Sequence, residues 1–177
     1  MSKYVKQSLL VILLITVISN SVSIAADDDF KDKLKALYIT RLADFLIWPG
    51  ATKTSTFKIC IESTDKVAIQ LKNIEFDHIL DRQVEIIDPP SGLSLIKCDF
   101  LYISVGKVDS LWADFPIFTL SSQAGFAEQG GMIEFYIDQG KVRMKTNLYA
   151  VNQTGIKVSS KLIRLLKIVT PLGVDKW

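Results

Sequence analysis

From Phe30 onward the chain switches between helical and extended hydrophobic periods. Phe30, Leu34, Leu37, Tyr38, Leu42, Phe45 and Leu46 recur at helical spacing, with Lys31, Lys33, Lys35 and Asp44 elsewhere. This predicts an amphipathic helix that stops near Trp48-Pro49, because the residue before a proline is pushed out of the helical region. Phe57 to Ile61 then reads as a short buried strand, Val67 to Leu71 as a helix, and Gln83 to Ile87 as a strand ended by Pro89-Pro90-Ser91-Gly92. Phe100 to Val105 and Pro116 to Leu120 read as further buried strands, separated by a short segment around Val108 to Trp112. Alternation of this kind predicts an α/β fold, a single compact domain with a small, largely parallel central sheet flanked by helices.

Near the C-terminus the pattern changes. Met132 to Ile137 and Lys141 to Thr146 flank Asp138-Gln139-Gly140 and predict an antiparallel hairpin. A two-residue Gln139-Gly140 turn sets Ile137 against Val142 and Phe135 against Met144 on an apolar face. It sets Tyr136 against Arg143 and Glu134 against Lys145 on the other, which is expected to stay wet. A basic strand face of this kind could bind an acidic partner, but Glu134 opposite favours a solvated face. Ser159 to Val169 reads as a last helix with a Ser cap, apolar nearly all round and closed by Pro171, and deep packing is its expected role.

The N-terminus decides the compartment. Lys3 and Lys6 precede the uncharged apolar run Leu9 to Ile18, which is short for a bilayer span and ends in Ser23-Ile24-Ala25, small residues placed as at a cleavage site. The expectation is a signal peptide over 1–25 and an exported domain over 26–177. An uncleaved anchor is the rival. Cleavage removes two lysines, so Lys plus Arg falls from 21 to 19 against 19 Asp plus Glu. A neutral domain whose cations are interspersed with acids is a poor fit to nucleic acid.

Catalytic constellations are not legible. The single histidine, His78, reads as a loop residue without zinc co-ligands, and Ser121 and Ser122 lack nucleophile-elbow glycines. Gly130-Gly131 precedes a strand, where a dinucleotide turn requires a helix, so turn geometry explains it better. No enzyme activity, cofactor or metal is expected. Cys60 and Cys98 are the only cysteines; in an oxidising compartment they permit one intramolecular bridge, with two buried thiols as the alternative. Trp48 is expected to pack where the first helix ends.

Several local patterns, taken in order, resemble the YfiR family of periplasmic proteins. They are Lys35-Ala36-Leu37-Tyr38 leading to Trp48-Pro49, Phe57-Lys58-Ile59-Cys60-Ile61, and Lys97-Cys98-Asp99-Phe100-Leu101-Tyr102-Ile103. Gly130-Gly131-Met132-Ile133-Glu134-Phe135, Gly140-Lys141-Val142-Arg143-Met144-Lys145-Thr146-Asn147 and Val158-Ser159-Ser160-Lys161-Leu162 follow. No single piece is specific; the ordered set is.

The resemblance implies a repressor that binds the periplasmic sensor portion of an inner-membrane diguanylate cyclase, restraining cyclic-di-GMP and biofilm signalling. It also implies a disulfide, since Cys60 and Cys98 match family cysteine positions that can form one, while nothing beyond Cys98 could supply the second pair some members carry. Arg41 on the first helix and Arg164 on the last are the candidate partner-binding residues, an intramolecular ion pair being the competing explanation for Arg41. A homodimer is compatible with this picture. The alternatives are a small-ligand sensor, with Tyr38, Trp48 or Trp112 lining a pocket, and an accessory protein for a sensor kinase or an outer-membrane receptor.

Overall fold

The computed structural model describes residues 27–49, 56–62, 64–74, 77–88, 97–104 and 115–172. The expected signal peptide, the segment 89–92, Val105, and the stretch 108–112 with Trp112 lie outside them. Helix α1 (27–42) leads through a 3-10 turn, Ala43–Phe45, into the short strand β1 (Leu46–Ile47). Then come β2 (Thr56–Glu62), α2 (Lys66–Asn73), β3 (His78–Ile79), β4 (Arg82–Ile87), β5 (Phe100–Ile103) and β6 (Phe118–Ser121). The chain continues with β7 (Ile133–Asp138), β8 (Lys141–Thr146), α3 (Leu148–Gln153), β9 (Lys157–Val158), α4 (Ser160–Ile163) and β10 (Lys167–Ile168).

Eight strands form one sheet in the order β10-β8-β7-β6-β5-β2-β4-β3, while β1 and β9 pair antiparallel in a sheet of two. Neighbours are parallel from β4 through β2, β5 and β6 to β7. The β7–β8 and β3–β4 pairs are antiparallel, and β10 runs parallel to β8. The expected α/β architecture is therefore the observed one. Because the chain steps from β2 to β4 and then back to β5, strand order reverses beside β2, as in doubly wound sheets.

Alternation along the central strands divides the interior in two. Phe57, Ile59 and Ile61 of β2, Phe100 and Tyr102 of β5, and Phe118 and Leu120 of β6 face the larger core. That core also holds Ala36 and Ile39 of α1, Val67 and Leu71 of α2, Val151 of α3 and Leu162 of α4. Cys60, Leu101 and Ile103 point the other way, into a smaller cluster with Cys98, Ile117 and Phe126. Among the described residues the four helices thus cover one face, and loop residues such as Phe126 help cover the other. Gly131 is required by that cover, since a β-carbon there would lie 2.1 Å from the Phe126 ring.

The hairpin register is the one the sequence predicts, from Ile137 opposite Val142 to Glu134 opposite Lys145. Gln139 (φ 49°) and Gly140 (φ 74°) both adopt positive φ, the requirement of a tight turn whose twist matches the strands. At its Glu134–Lys145 end the second face is not wet as expected, while Arg143 on the same face is exposed. Glu134 is only 1% exposed, and the cover that buries it includes the backbone of Ala127, whose N–H donates to its carboxylate at 3.3 Å.

Other expectations need correction at element ends. The first helix ends at residue 42, earlier than Trp48-Pro49, because Leu46 and Ile47 pair with Val158 and Lys157 as a strand. Pairing with a distant segment outcompetes another helical turn. The last helix is a single turn capped by the Ser159 hydroxyl, which accepts from the Leu162 N–H at 3.3 Å. Lys167 and Ile168 then join the edge of β8, with the Val169 N–H donating to the Thr146 carbonyl at 2.9 Å. The segment looks apolar all round because its period changes from helix to strand midway. His78 lies in a strand, paired with Gln83, and not in a loop.

Trp48 follows β1. Its ring meets Phe57 edge-on at 5.8 Å and Phe100 at 6.0 Å, and its Nε1–H donates to the Pro116 carbonyl at 3.1 Å. Replacing Trp48 by Ala is expected to cost about 3 kcal/mol, as for a large aromatic lost from a core. Trp48→Phe, which keeps a ring and loses the hydrogen bond, should cost about 1 kcal/mol. Urea midpoints of the two variants measure both.

Candidate functional site

The disulfide forms the rigid centre. Cys60 lies within β2 and Cys98 just before β5; because β2 and β5 are adjacent and parallel, their Cα atoms come within 5.9 Å and the sulfurs bond. Both cysteines are buried. Next to the bridge, the Asp99 carboxylate accepts from Arg82 Nη1 at 2.9 Å, from Arg82 Nη2 at 2.8 Å and from the Lys58 N–H at 2.8 Å. Arg82 also donates to the Thr56 carbonyl and stands 5.0 Å from the centre of the Phe57 ring. A planar guanidinium matches a carboxylate with two parallel bonds, so this contact fixes β4 against the starts of β2 and β5. Sequence reasoning missed the pair, which no local spacing signals across 17 residues.

A second polar cluster sits on the disulfide's side of the sheet. Lys145 Nζ lies 3.0 Å from a Glu134 oxygen and 3.1 Å from Glu128 Oε1. Desolvation pulls the Lys145 ammonium downward, but hydrogen bonds and charge from Glu134 and Glu128 outweigh it and hold its pKa above 10.5. Desolvation likewise pushes Glu128 upward, and a backbone hydrogen bond together with Lys145 brings it below 4.5. Asn147, fully buried, completes this corner: its side-chain oxygen accepts from the Ala150 N–H at 3.0 Å and caps α3, while its Nδ2 donates to the Ala127 carbonyl at 2.9 Å. At the carboxyl ends of β5 and β6 the buried Tyr102 hydroxyl bonds Asp65 at 2.9 Å and Ser122 at 3.2 Å. Burial holds that phenol well above its usual range. These groups are paired with one another, an arrangement that stabilises a fold.

The two candidate arginines are on the surface. Arg41 is exposed near the end of α1, and no ion pair joins it to a described residue, so the expected internal partner is not found among them. It shares a face with Phe30 and Leu37, since positions eleven, seven and zero along a helix fall within about 40° of one another. Both of those apolar side chains are exposed, although the sequence pattern placed them on the buried stripe. Ala36 and Ile39 fill that stripe in their place, beside Leu42, which is buried as the pattern predicts. Arg164 is exposed at the C-terminal cap of α4. Trp48, partly buried, packs against the core rings of Phe57 and Phe100. Among the described residues no group of His, Cys, Asp and Glu could hold a metal ion, and no helix is long and apolar enough to cross a membrane.

Comparison with known protein families gives a match. The family model described as YfiR/HmsC-like covers residues 32–166, from the second turn of α1 to the turn before β10. No curated protein matches the chain. The matched span contains the disulfide pair, the Arg82–Asp99 contact and the Glu134–Lys145–Asn147 corner, so the ordered sequence patterns and the family model describe the same frame. This chain belongs to the YfiR/HmsC-like family.

Proposed function

We propose that this protein is a periplasmic regulator that binds the periplasmic sensor portion of an inner-membrane diguanylate cyclase and represses it, lowering cyclic-di-GMP and biofilm signalling. A regulatory role in the periplasm goes with membership of the family. The single structural observation that supports the reading is the outer face of α1, where Phe30 and Leu37 stand exposed beside Arg41. Aromatic and aliphatic side chains next to an arginine are the residue types that anchor protein interfaces. Repression then follows from affinity: a partner's equilibrium shifts only as far as the regulator prefers one of its conformations over the other. The disulfide and the inward-facing ion pairs hold the frame behind this helix and leave its outer face for contact.

The test is intracellular cyclic-di-GMP in the native host. Deleting the gene is expected to raise it, and complementation to restore it. A double variant, Leu37→Asp with Arg41→Glu, should fail to complement while melting as wild type does, since both residues are exposed. Unchanged cyclic-di-GMP on deletion of an expressed gene would reject the cyclase and direct attention to a sensor kinase or an outer-membrane receptor encoded nearby. Full repression by the double variant would reject the α1 face.

A further inference from the structure

The charge of this chain is not interspersed throughout. From Gln139 to Val174 it carries seven Lys and Arg residues and no Asp or Glu, although the whole chain is close to neutral. Only Lys145 among the seven is held in an ion pair with a described residue. Lys157, Lys161, Arg164 and Lys167 are exposed.

Exposed apolar side chains stand beside these cations. In the β1–β9 pair, Ile47 lies opposite Lys157 on one face, and both are exposed. On α4 and the turn that follows it, Leu162 and Leu166 point into the core, which puts Lys161, Arg164 and Leu165 on the outer side. Leu165 is 69% exposed, Ile168 beside Lys167 is 55%, and Leu172 beyond them is 74%. The two groups are neighbours, since the Ser159 N–H between β9 and α4 donates to the Phe45 carbonyl just before β1 at 2.9 Å. An apolar side chain next to a cation thus occurs twice on one connected edge, and β10 adds Lys167 and Ile168 on its two opposite faces.

We propose that this edge is a docking surface for an anionic phospholipid membrane, with Lys157, Lys161, Arg164 and Lys167 meeting the headgroups and Leu165 and Ile168 entering the acyl boundary. Charge complementarity selects the occupant. A surface where four exposed cations without an ion pair to a described residue outnumber one exposed acid, Asp44, calls for dense negative charge, and its protruding apolar side chains require a medium that accepts them singly. An anionic bilayer surface offers both without a fixed register, and long Lys and Arg stems extend along its boundary with their charges at headgroup level. An acidic protein would have to match each cation and also provide a cavity for each apolar side chain. The inference does not depend on the cyclase reading, although it would place the regulator on the surface that holds such a partner.

The test is co-sedimentation of the exported chain with lipid vesicles that contain no protein. Phosphatidylglycerol-rich vesicles should bind it, phosphatidylcholine vesicles should not, and added salt should weaken binding. Replacing Lys161, Arg164 and Lys167 together by Gln should weaken partition on the order of a hundredfold, taking roughly a fivefold loss for each cation. Leu165→Ser should weaken it on the order of fivefold, while Lys33→Gln on α1 should leave it unchanged. Equal binding to the two kinds of vesicle, or wild-type partition by the triple variant, would overturn the proposal. So would wild-type partition by Leu165→Ser with complete competition by free glycerol phosphate, which would indicate a headgroup site alone. Tighter capture by soluble polyglutamate than by vesicles would overturn it in favour of an acidic protein. Circular dichroism melts confirm that each variant is folded, and failure here would leave the cyclic-di-GMP test unaffected.

Discussion

Replacing Cys60 and Cys98 together by alanine is expected to destabilise the protein by about 4 kcal/mol and to derepress its partner. The bridge joins residues 38 apart in sequence, and closing a loop of that length removes about 4 kcal/mol of conformational entropy from the unfolded chain. For a domain of this size the loss corresponds to a fall in Tm of roughly 8–16 °C. The loss is concentrated at the centre of the sheet, because β2 and β5 are neighbouring strands and the Arg82–Asp99 contact sits beside the bridge. Single Cys60→Ser and Cys98→Ser variants should fall at least as far, since each buries a hydroxyl and leaves a free thiol. The measurements are thermal melts with and without reductant, and cyclic-di-GMP in cells carrying each variant. If reduced wild type melts with the oxidised form and the double variant represses fully, the bridge has neither a stabilising nor a regulatory role.

Lys145→Ala is the second large effect, with an expected loss of about 3–5 kcal/mol. Glu134 is buried, and removing the ammonium 3.0 Å away leaves its charge uncompensated inside the fold. The paired replacement Glu134→Gln with Lys145→Met removes both charges and should recover much of that loss, because a buried ion pair is weakly stabilising relative to neutral packing. Equal destabilisation by the single and double variants would show that Lys145 acts through its aliphatic stem and not its charge.

The same cluster sets a pH dependence of defined sign. Glu128 is held below 4.5 in the folded protein, so its stabilisation is complete above that value and is lost as pH falls from there through the native pKa. Lys145 is held above 10.5, so its share is complete below that value and is lost as pH rises through the native pKa. Urea midpoints against pH should therefore decline at both extremes, and the Glu134→Gln, Lys145→Met variant should decline less at the alkaline end.

Much of the strand framework was legible because periodicity is a local property of the chain. Phe57 to Ile61, Gln83 to Ile87 and the 132–146 hairpin had unambiguous patterns, and the Gln139-Gly140 turn fixed every cross-strand partner before any tertiary information was used. The cysteine pair was legible as the only bridge available, and the family through motifs kept in order along the chain.

Element ends and the meaning of charge were not local. Whether Leu46-Ile47 continues a helix depends on Lys157 and Val158, more than a hundred residues away. Whether Lys167-Ile168 does so depends on the free edge of β8. Glu134 read as a solvated residue because the alternation assigns it to the outer face; the loop carrying Ala127 and Glu128 folds over that face and buries it. Phe30 and Leu37 had the spacing of core residues, but Ala36 and Ile39, equally compatible with a helical stripe, were the side chains the sheet received.

The sequence by itself determined the α/β class, the hairpin register, the single available disulfide and the family, since each depends on residue type and spacing alone. Tertiary structure decided where helices yield to strands, which charges are buried, and which apolar side chains are left on the surface. Those outcomes depend on which distant segment arrives to pair or pack, a competition that local spacing does not encode.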